Sequence, residues 1–163
     1  MNQLEELHNL GQRNLNLGNT KEALIHYNKI LNLDPKDVKA QIKIGNILGK
    51  HGKYAEAIKF YDKVLKIKGY DTLALVNKGL ALHYLEEYDD AVKCYKTILE
   101  KNPNSAITLY NLASSLVRQN KIDQGLDCLK EAIKIDFSYK VKASRDIDFQ
   151  DIKTRNEFKR IIL

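Results

Sequence analysis

The sequence is poor in several residue types and patterns, and each absence excludes a class of protein. It contains no tryptophan, one methionine, two prolines and two cysteines in 163 residues. It has no run of about 18 apolar residues, so we expect no membrane-spanning helix. The first residues, MNQLEELHNLGQ, lack the basic and apolar regions of a signal peptide. These features predict a cytoplasmic protein.

Motifs for catalysis and cofactor binding are also missing. The chain has no glycine-rich phosphate loop, no HExxH zinc motif and no serine nucleophile elbow. Four histidines are scattered without metal-ligand spacing: His8, His26, His51 and His83. The acidic pairs on either side of Tyr88 are typical of a solvated turn. We therefore predict no enzymatic activity, no cofactor and no metal site.

Charge of one sign is not concentrated anywhere in the chain. The formal net charge is +6, from 27 lysines and arginines against 21 aspartates and glutamates. These charges are interspersed, without a block of five or six of one sign, so a nucleic-acid-binding tail is not indicated.

What the sequence does contain is an internal repeat of constant length. The segments ALIHYNKILNLDP, AIKFYDKVLKIKG and AVKCYKTILEKNP begin at the evenly spaced Ala23, Ala57 and Ala91, and a weaker copy begins at Gly125. Cys94 and Cys128 are as far apart in sequence as Ala57 and Ala91 are. Because stacked helices lie about 8–10 Å apart, beyond the roughly 7 Å Cα limit for a disulfide, we expect two reduced thiols.

Each repeat has the pattern of a helical hairpin. Apolar residues recur at helical spacing in both halves, and a short polar turn such as LGNTK separates them. Pro35 and Pro103 end their repeats, and Gly69 at the equivalent position can adopt the left-handed conformation that ends a helix. The next helices are predicted to be capped by residues at one repeat position: Asp37, Asp71 and Ser105.

This pattern resembles the tetratricopeptide repeat. The matching residues of the first copy are Leu7, Leu10-Gly11, Ala23, Tyr27 and Pro35. The family's tryptophan is replaced in every copy, and the fourth copy has Gly125, Leu129 and Phe137 in place of the usual alanine, aromatic and proline. The resemblance implies an all-α, right-handed superhelix, a solenoid of four helix-turn-helix repeats plus capping helices. Residues 1–136 would form the repeats, at about 3–34, 37–68, 71–102 and 105–136, and residues 137–163 a C-terminal capping helical segment.

Small residues at repeated positions are predicted to let the helices pack closely. They lie on each first helix (Gly11, Gly45, Gly79 and Ala113) and on each second helix (Ala23, Ala57 and Ala91).

The resemblance also implies that the first helix of every hairpin lines a concave groove. One aligned row of positions there holds Asn9, Lys43, Asn77 and Asn111. Asparagine can both donate to and accept from a peptide backbone. The other candidate groove residues are Lys39, Asn46, Lys50, Tyr84, Tyr110 and Arg118. The sequence thus predicts a non-catalytic scaffold for protein–protein interaction that binds a peptide or protein segment, with an acidic segment as the candidate partner.

Other functions are compatible with the same residues. The basic side of the groove, with Tyr84 and Tyr110 as stacking platforms, could bind nucleic acid. The ends of the array could associate with another copy of the chain. The polar row could also be no more than a solvated face.

Overall fold

The computed structural model describes residues 2–163, which are largely helical and contain no strand. The elements, in chain order, are α1 Gln3–Asn16, α2 Thr20–Leu33, α3 Val38–Lys50, α4 Tyr54–Lys68, α5 Thr72–Tyr84, α6 Tyr88–Lys101, α7 Ala106–Arg118, α8 Ile122–Ile135, α9 Ser138–Arg145, a 3-10 helix Ile147–Ile152 and α10 Asn156–Ile162. The predicted fold class, an all-α array of helical hairpins, is confirmed.

Side-chain caps at the helix starts follow the prediction at two positions and depart from it at a third. Oδ1 of Asp37 accepts a hydrogen bond from the Ala40 N–H at 2.7 Å, and Oδ1 of Asp71 accepts one from the Ala74 N–H at 2.9 Å. Ser105 does not cap α7, so that prediction was wrong. Its hydroxyl is hydrogen-bonded instead to the hydroxyl of Thr108 at 2.8 Å, because Thr108 is fully buried and needs a polar partner.

One turn position adopts a left-handed backbone in all four hairpins. The φ angles are 78° at Gly18, 73° at Gly52, 62° at Glu86 and 61° at Asn120, which occupy the same position of successive repeats. Glycine adopts this conformation without steric cost, whereas glutamate and asparagine do not. Gly69, at the end of α4, has a φ of 69°, as its predicted role requires.

Close helix packing within a hairpin depends on the small residues of the repeat. A Cβ atom at Gly11 would lie 2.8 Å from Cζ of Tyr27, and one at Gly45 would lie 2.6 Å from Cε1 of Tyr61. The facing Ala57 is fully buried. The predicted role of these glycines in helix packing is confirmed.

The chain forms two compact units, which meet in sequence after Ala81. In the first unit, α1 packs on α2, α2 on α3 and α3 on α4. Its core is formed by second-helix residues such as Tyr27, Ile30 and Val64 together with α3 residues such as Ile44.

The second unit, Leu82–Leu163, has its own core. There α6 packs on α7 and α7 on α8, while the 3-10 helix contacts α7 and both α9 and α10 contact α8. Phe149 and Phe158 are fully buried, and their stacked rings are 5.7 Å apart between centroids. None of the helices within residues 2–163 has the length and apolar character needed to cross a membrane.

Candidate functional site

The first helix of the second hairpin carries a row of basic and polar side chains. Lys39, Lys43, Asn46 and Lys50 follow one another at the four- and three-residue spacing that places them on one face of α3. Helix α3 contains no acidic residue, and no carboxylate in residues 2–163 forms an ion pair with these three lysines. This face therefore carries positive charge that no carboxylate within residues 2–163 offsets through an ion pair.

Hydrogen bonds connect the first helices of successive hairpins in the first unit. Nζ of Lys43 donates to Oε1 of Gln12 at 2.7 Å, and Nδ2 of Asn77 donates to Oδ1 of Asn46 at 2.8 Å. In each bond the two residues are 31 positions apart in sequence, so the same contact occurs twice. Gln12 was not among the predicted groove residues, although it occupies the same repeat position as Asn46.

Asn46 also accepts a hydrogen bond from the second helix of its own hairpin. The hydroxyl of Tyr61 donates to Oδ1 of Asn46 at 3.0 Å. Burial raises the pKa of Tyr61 to about 12, so the phenol stays protonated and remains a donor at neutral pH. Within residues 2–163, the amide N–H groups of Asn46 and the amide oxygen of Asn77 keep hydrogen-bonding capacity for a ligand.

The remaining predicted residues of the first unit are exposed. Asn9 lies on α1, Lys39 in the first turn of α3 and Lys50 at its last residue. In this unit the structure joins Lys43 to Gln12 and Asn46 to Asn77, with Lys39 and Lys50 on the same face of α3 as Lys43 and Asn46.

In the second unit, three predicted residues lie at the surface or near it. Tyr84 is 57% exposed at the end of α5, and Asn111 is half-buried on α7. Arg118 ends α7, where its Nε donates to the Tyr88 hydroxyl at 3.2 Å and its Nη1 lies 3.9 Å from Oδ2 of Asp151. The bond to Tyr88 raises the pKa of Arg118 further, so its charge is permanent.

Tyr110 is not a groove residue, and its assignment as a ligand contact and stacking platform was wrong. Its side chain is only 2% exposed, and its hydroxyl donates to Oδ2 of Asp146 at 2.6 Å. The ring lies 4.7 Å from that of Tyr139 and 5.8 Å from that of Phe149. Burial, and then the bond to Asp146, raises the pKa of Tyr110. Helix α9 and the 3-10 helix cover this part of α7, which the repeat pattern does not reveal.

A buried polar network was not foreseen from the sequence. Nδ1 of His83 lies 2.9 Å from Oγ of Ser115, and its Nε2 lies 3.0 Å from Oδ2 of Asp148. Serine, histidine and aspartate are the residue types of a hydrolytic triad, but Ser115 is fully buried and no substrate could reach its hydroxyl. The network instead joins the end of α5 to α7 and the 3-10 helix.

Neither cysteine forms a disulfide within residues 2–163; Cys94 is buried and Cys128 is half-buried. Burial raises the pKa of the Cys128 thiol, which disfavours the thiolate needed for nucleophilic attack or metal binding. Across residues 2–163, no group of three or more histidine, cysteine, aspartate or glutamate side chains could hold a metal ion.

Comparisons with known proteins identify the repeat. Four sequence profiles of the tetratricopeptide repeat match residues 4–37, 38–71, 72–105 and 94–127. Sequence comparison with curated proteins found no match.

Solved structures share the fold at low sequence identity. Residues 41 to the end of MamA from Desulfovibrio magneticus RS-1 superpose with a TM-score of 0.85 at 21% identity, over 99% of this chain and 90% of that one. YrrB, described as a tetratricopeptide repeat protein with an unusual peptide-binding site, superposes with a TM-score of 0.76 at 18% identity, over 95% of this chain and 80% of that one. From the repeats and these structures together, we conclude that the chain belongs to the tetratricopeptide repeat family.

Proposed function

We propose that this protein is a non-catalytic scaffold whose first helices bind a peptide or protein segment of acidic character. The basic face of α3, formed by Lys39, Lys43, Asn46 and Lys50, carries the proposal, because no carboxylate within residues 2–163 neutralises its lysines. An acidic segment would supply the missing negative charges.

Two further observations support this function. Proteins of the tetratricopeptide repeat family are typically non-catalytic scaffolds for protein interaction, and the structurally similar YrrB is described as having a peptide-binding site. The amide N–H groups of Asn46 and the amide oxygen of Asn77 can also form hydrogen bonds with the backbone of an extended segment. Such bonds do not depend on which side chains the segment carries there.

The proposal includes the division of the chain and its location. Residues 1–136 would act as the four-repeat binding array and residues 137–163 as its C-terminal cap, in a cytoplasmic protein. A groove that orders a flexible peptide is expected to reach micromolar affinity, about −8 kcal/mol.

The test is co-purification from a nuclease-treated lysate with the wild-type chain and the double variant Lys43→Glu, Asn77→Ala. We expect a protein that wild type retains and the variant loses, with an affinity for the purified partner reduced at least tenfold, roughly 1.4 kcal/mol. Each substitution also removes one bond between helices, worth about 1 kcal/mol, so circular dichroism must show that the variant is folded.

A matched control carries the same types of change on second helices. Asn28 in α2 and Lys59 in α4 are both exposed, and the variant Asn28→Ala, Lys59→Glu should retain the partner. If all three chains retain the same proteins, the first helices are not the binding surface. A partner that is nucleic acid would instead show affinity falling steeply with salt, and retention of the chain itself would indicate self-association.

A further inference from the structure

We propose that α9, in the segment predicted as a cap, carries a carboxylate-binding subsite formed by Arg145 and Lys142 beside the apolar side chain of Val141. It would bind an acidic residue of the partner segment that has an apolar residue next to it. This inference rests on the proposed function, because it extends the row of first-helix positions beyond the fourth repeat.

The repeat positions of α7 continue on α9. Val141 lies one repeat interval after Ile107, and Arg145 lies one repeat interval after Asn111. Ile107 is 49% exposed and Val141 is 52% exposed, so the same position is an exposed apolar residue in both helices. Arg145 thus follows Asn111 in the row that also contains Asn9, Lys43 and Asn77, and it is exposed.

Aromatic contacts hold α9 against α7. The rings of Tyr110 and Tyr139 are 4.7 Å apart, and Nζ of Lys142 lies 4.3 Å from the centre of the Tyr110 ring. The Tyr110 hydroxyl donates to Asp146, directly after α9. The buried Tyr110 therefore fixes the position of the helix that carries the subsite, which favours binding because little side-chain and backbone order must be gained.

The exposed face of α9 carries more positive than negative charge. Ser138, Val141, Lys142, Arg145 and Asp146 form this shallow surface. No side chain in residues 2–163 forms an ion pair or hydrogen bond with the guanidinium of Arg145, and Nζ of Lys142 lies over the rings of Tyr110 and Tyr139.

The one carboxylate on this surface is already hydrogen-bonded through both of its oxygens. Oδ2 of Asp146 accepts from the Tyr110 hydroxyl, and its Oδ1 accepts from the Asp148 N–H at 3.1 Å. Asp146 therefore forms no ion pair with Arg145 or Lys142, and the two cations outnumber this one carboxylate.

The residue types select a carboxylate with an apolar neighbour. Arginine binds a carboxylate through two parallel hydrogen bonds, and a lysine adds a second positive charge. Val141 offers apolar surface that an aliphatic side chain of the ligand would cover. An alternating acidic and aliphatic peptide satisfies both requirements.

The test uses fluorescence anisotropy with a short fluorescein-labelled peptide of alternating glutamate and leucine, the same peptide with glutamine for glutamate, and a single-stranded oligonucleotide of similar length. The full-length chain is compared with Arg145→Glu and with Lys159→Glu, a charge-matched change at an exposed residue of α10. Loss of the arginine–carboxylate pair should raise Kd for the glutamate peptide about tenfold, while Lys159→Glu should leave it within a factor of two or so. In wild type the Nε–H signal of Arg145 should shift on titration with the glutamate peptide.

The outcomes separate this inference from the proposed function. If Lys43→Glu, Asn77→Ala weakens binding of the glutamate peptide but Arg145→Glu does not, the first-helix surface stands and the α9 subsite is overturned. If only Arg145→Glu weakens binding of the glutamate peptide, the α9 subsite is supported and the proposed first-helix surface is overturned. Three other results would overturn the subsite. The first is equal affinity for the glutamine and glutamate peptides, and the second is tighter binding of the oligonucleotide through Arg145. The third is no binding of the glutamate peptide at millimolar concentration.

Discussion

At the scale of single residues, a glycine of the first helix packs against a tyrosine ring of the second helix in two of the hairpins. The pairs Gly11–Tyr27 and Gly45–Tyr61 repeat this contact in successive hairpins. Glycine costs a helix roughly 1 kcal/mol relative to alanine, so its presence in the middle of α3 is explained by packing and not by helix propensity.

Gly45→Ala should therefore destabilise the protein. The new Cβ would lie 2.6 Å from Cε1 of Tyr61, whose ring is buried and cannot move freely. Overpacking of this kind costs about 1–3 kcal/mol, more than the gain in helix propensity. Urea unfolding followed by circular dichroism would measure the change in the free energy of unfolding.

Gly49→Ala in the same helix is the matched control. A Cβ there would meet only the Tyr61 hydroxyl oxygen at 3.8 Å, an ordinary contact. We expect no loss of stability, and up to about 1 kcal/mol of gain from helix propensity. Equal effects of the two substitutions would contradict a packing role specific to Gly45.

Tyr61 should make the stability depend on alkaline pH. Burial raises its pKa from 10.0 to about 12. Because the folded-state pKa is the higher one, the stabilisation is complete below the unfolded-state value. It is then lost as pH rises from about 10 to about 12, by roughly 2–3 kcal/mol.

The variant Tyr61→Phe removes this titration. Its free energy of unfolding should fall less steeply than that of wild type between about pH 10 and pH 12. Some slope will persist, because burial also raises the pKa of Tyr27 and Tyr95. Parallel curves for wild type and variant, measured by urea unfolding, would show that Tyr61 does not contribute.

At the scale of helices, polar side chains hold neighbouring elements together as specifically as apolar ones do. Lys43 and Asn77 each bond to the preceding first helix, and His83 bonds to both α7 and the 3-10 helix. A buried polar group without a partner costs more than the bond itself contributes. These contacts therefore favour one arrangement of the helices that they join.

Ser115→Ala should destabilise the second unit. It leaves Nδ1 of the buried His83 without its hydrogen-bond partner, at a cost of about 1–3 kcal/mol. Ser114→Ala is the control, since the neighbouring Ser114 is 5% exposed and its side chain makes no hydrogen bond within residues 2–163. Comparable losses of unfolding free energy in the two variants would show that the bond to His83 has no special contribution.

At the scale of the whole molecule, each of the two compact units contains buried apolar clusters of its own. Contacts are made mainly between successive helices, and each compact unit contains its own buried cluster. In repeat proteins of this kind, stability is approximately the sum of local terms, so a lesion in one region need not unfold the rest.

Phe149→Ala should loosen the second unit selectively. Phe149 is fully buried against Tyr110 and Phe158, and a phenylalanine-to-alanine change in a core costs about 3–5 kcal/mol. Hydrogen exchange should show lost amide protection in α7 through α10 and retained protection in α1 through α4. Phe137→Ala, at a side chain that is 67% exposed, should leave both patterns unchanged. Uniform loss of protection along the chain would contradict local stability.

Local features of the sequence are enough to define the helical hairpins. The repeat period, the caps at Asp37 and Asp71 and the left-handed Gly69 follow from local spacing and backbone sterics. Such features need no knowledge of distant residues, which is why they were predicted correctly. Membership of the repeat family follows from the same periodicity.

Which residues are covered by other helices can be seen only in the folded protein. Tyr110 occupies a repeat position that looked exposed, yet α9 and the 3-10 helix bury it. The bond of Ser105 to Thr108 and the network around His83 likewise depend on which groups are removed from water. The segment after residue 136 does not continue the full repeat pattern, so its packing could not be read from spacing. Burial is a property of the assembled helices, and a repeat shows only which residues are equivalent.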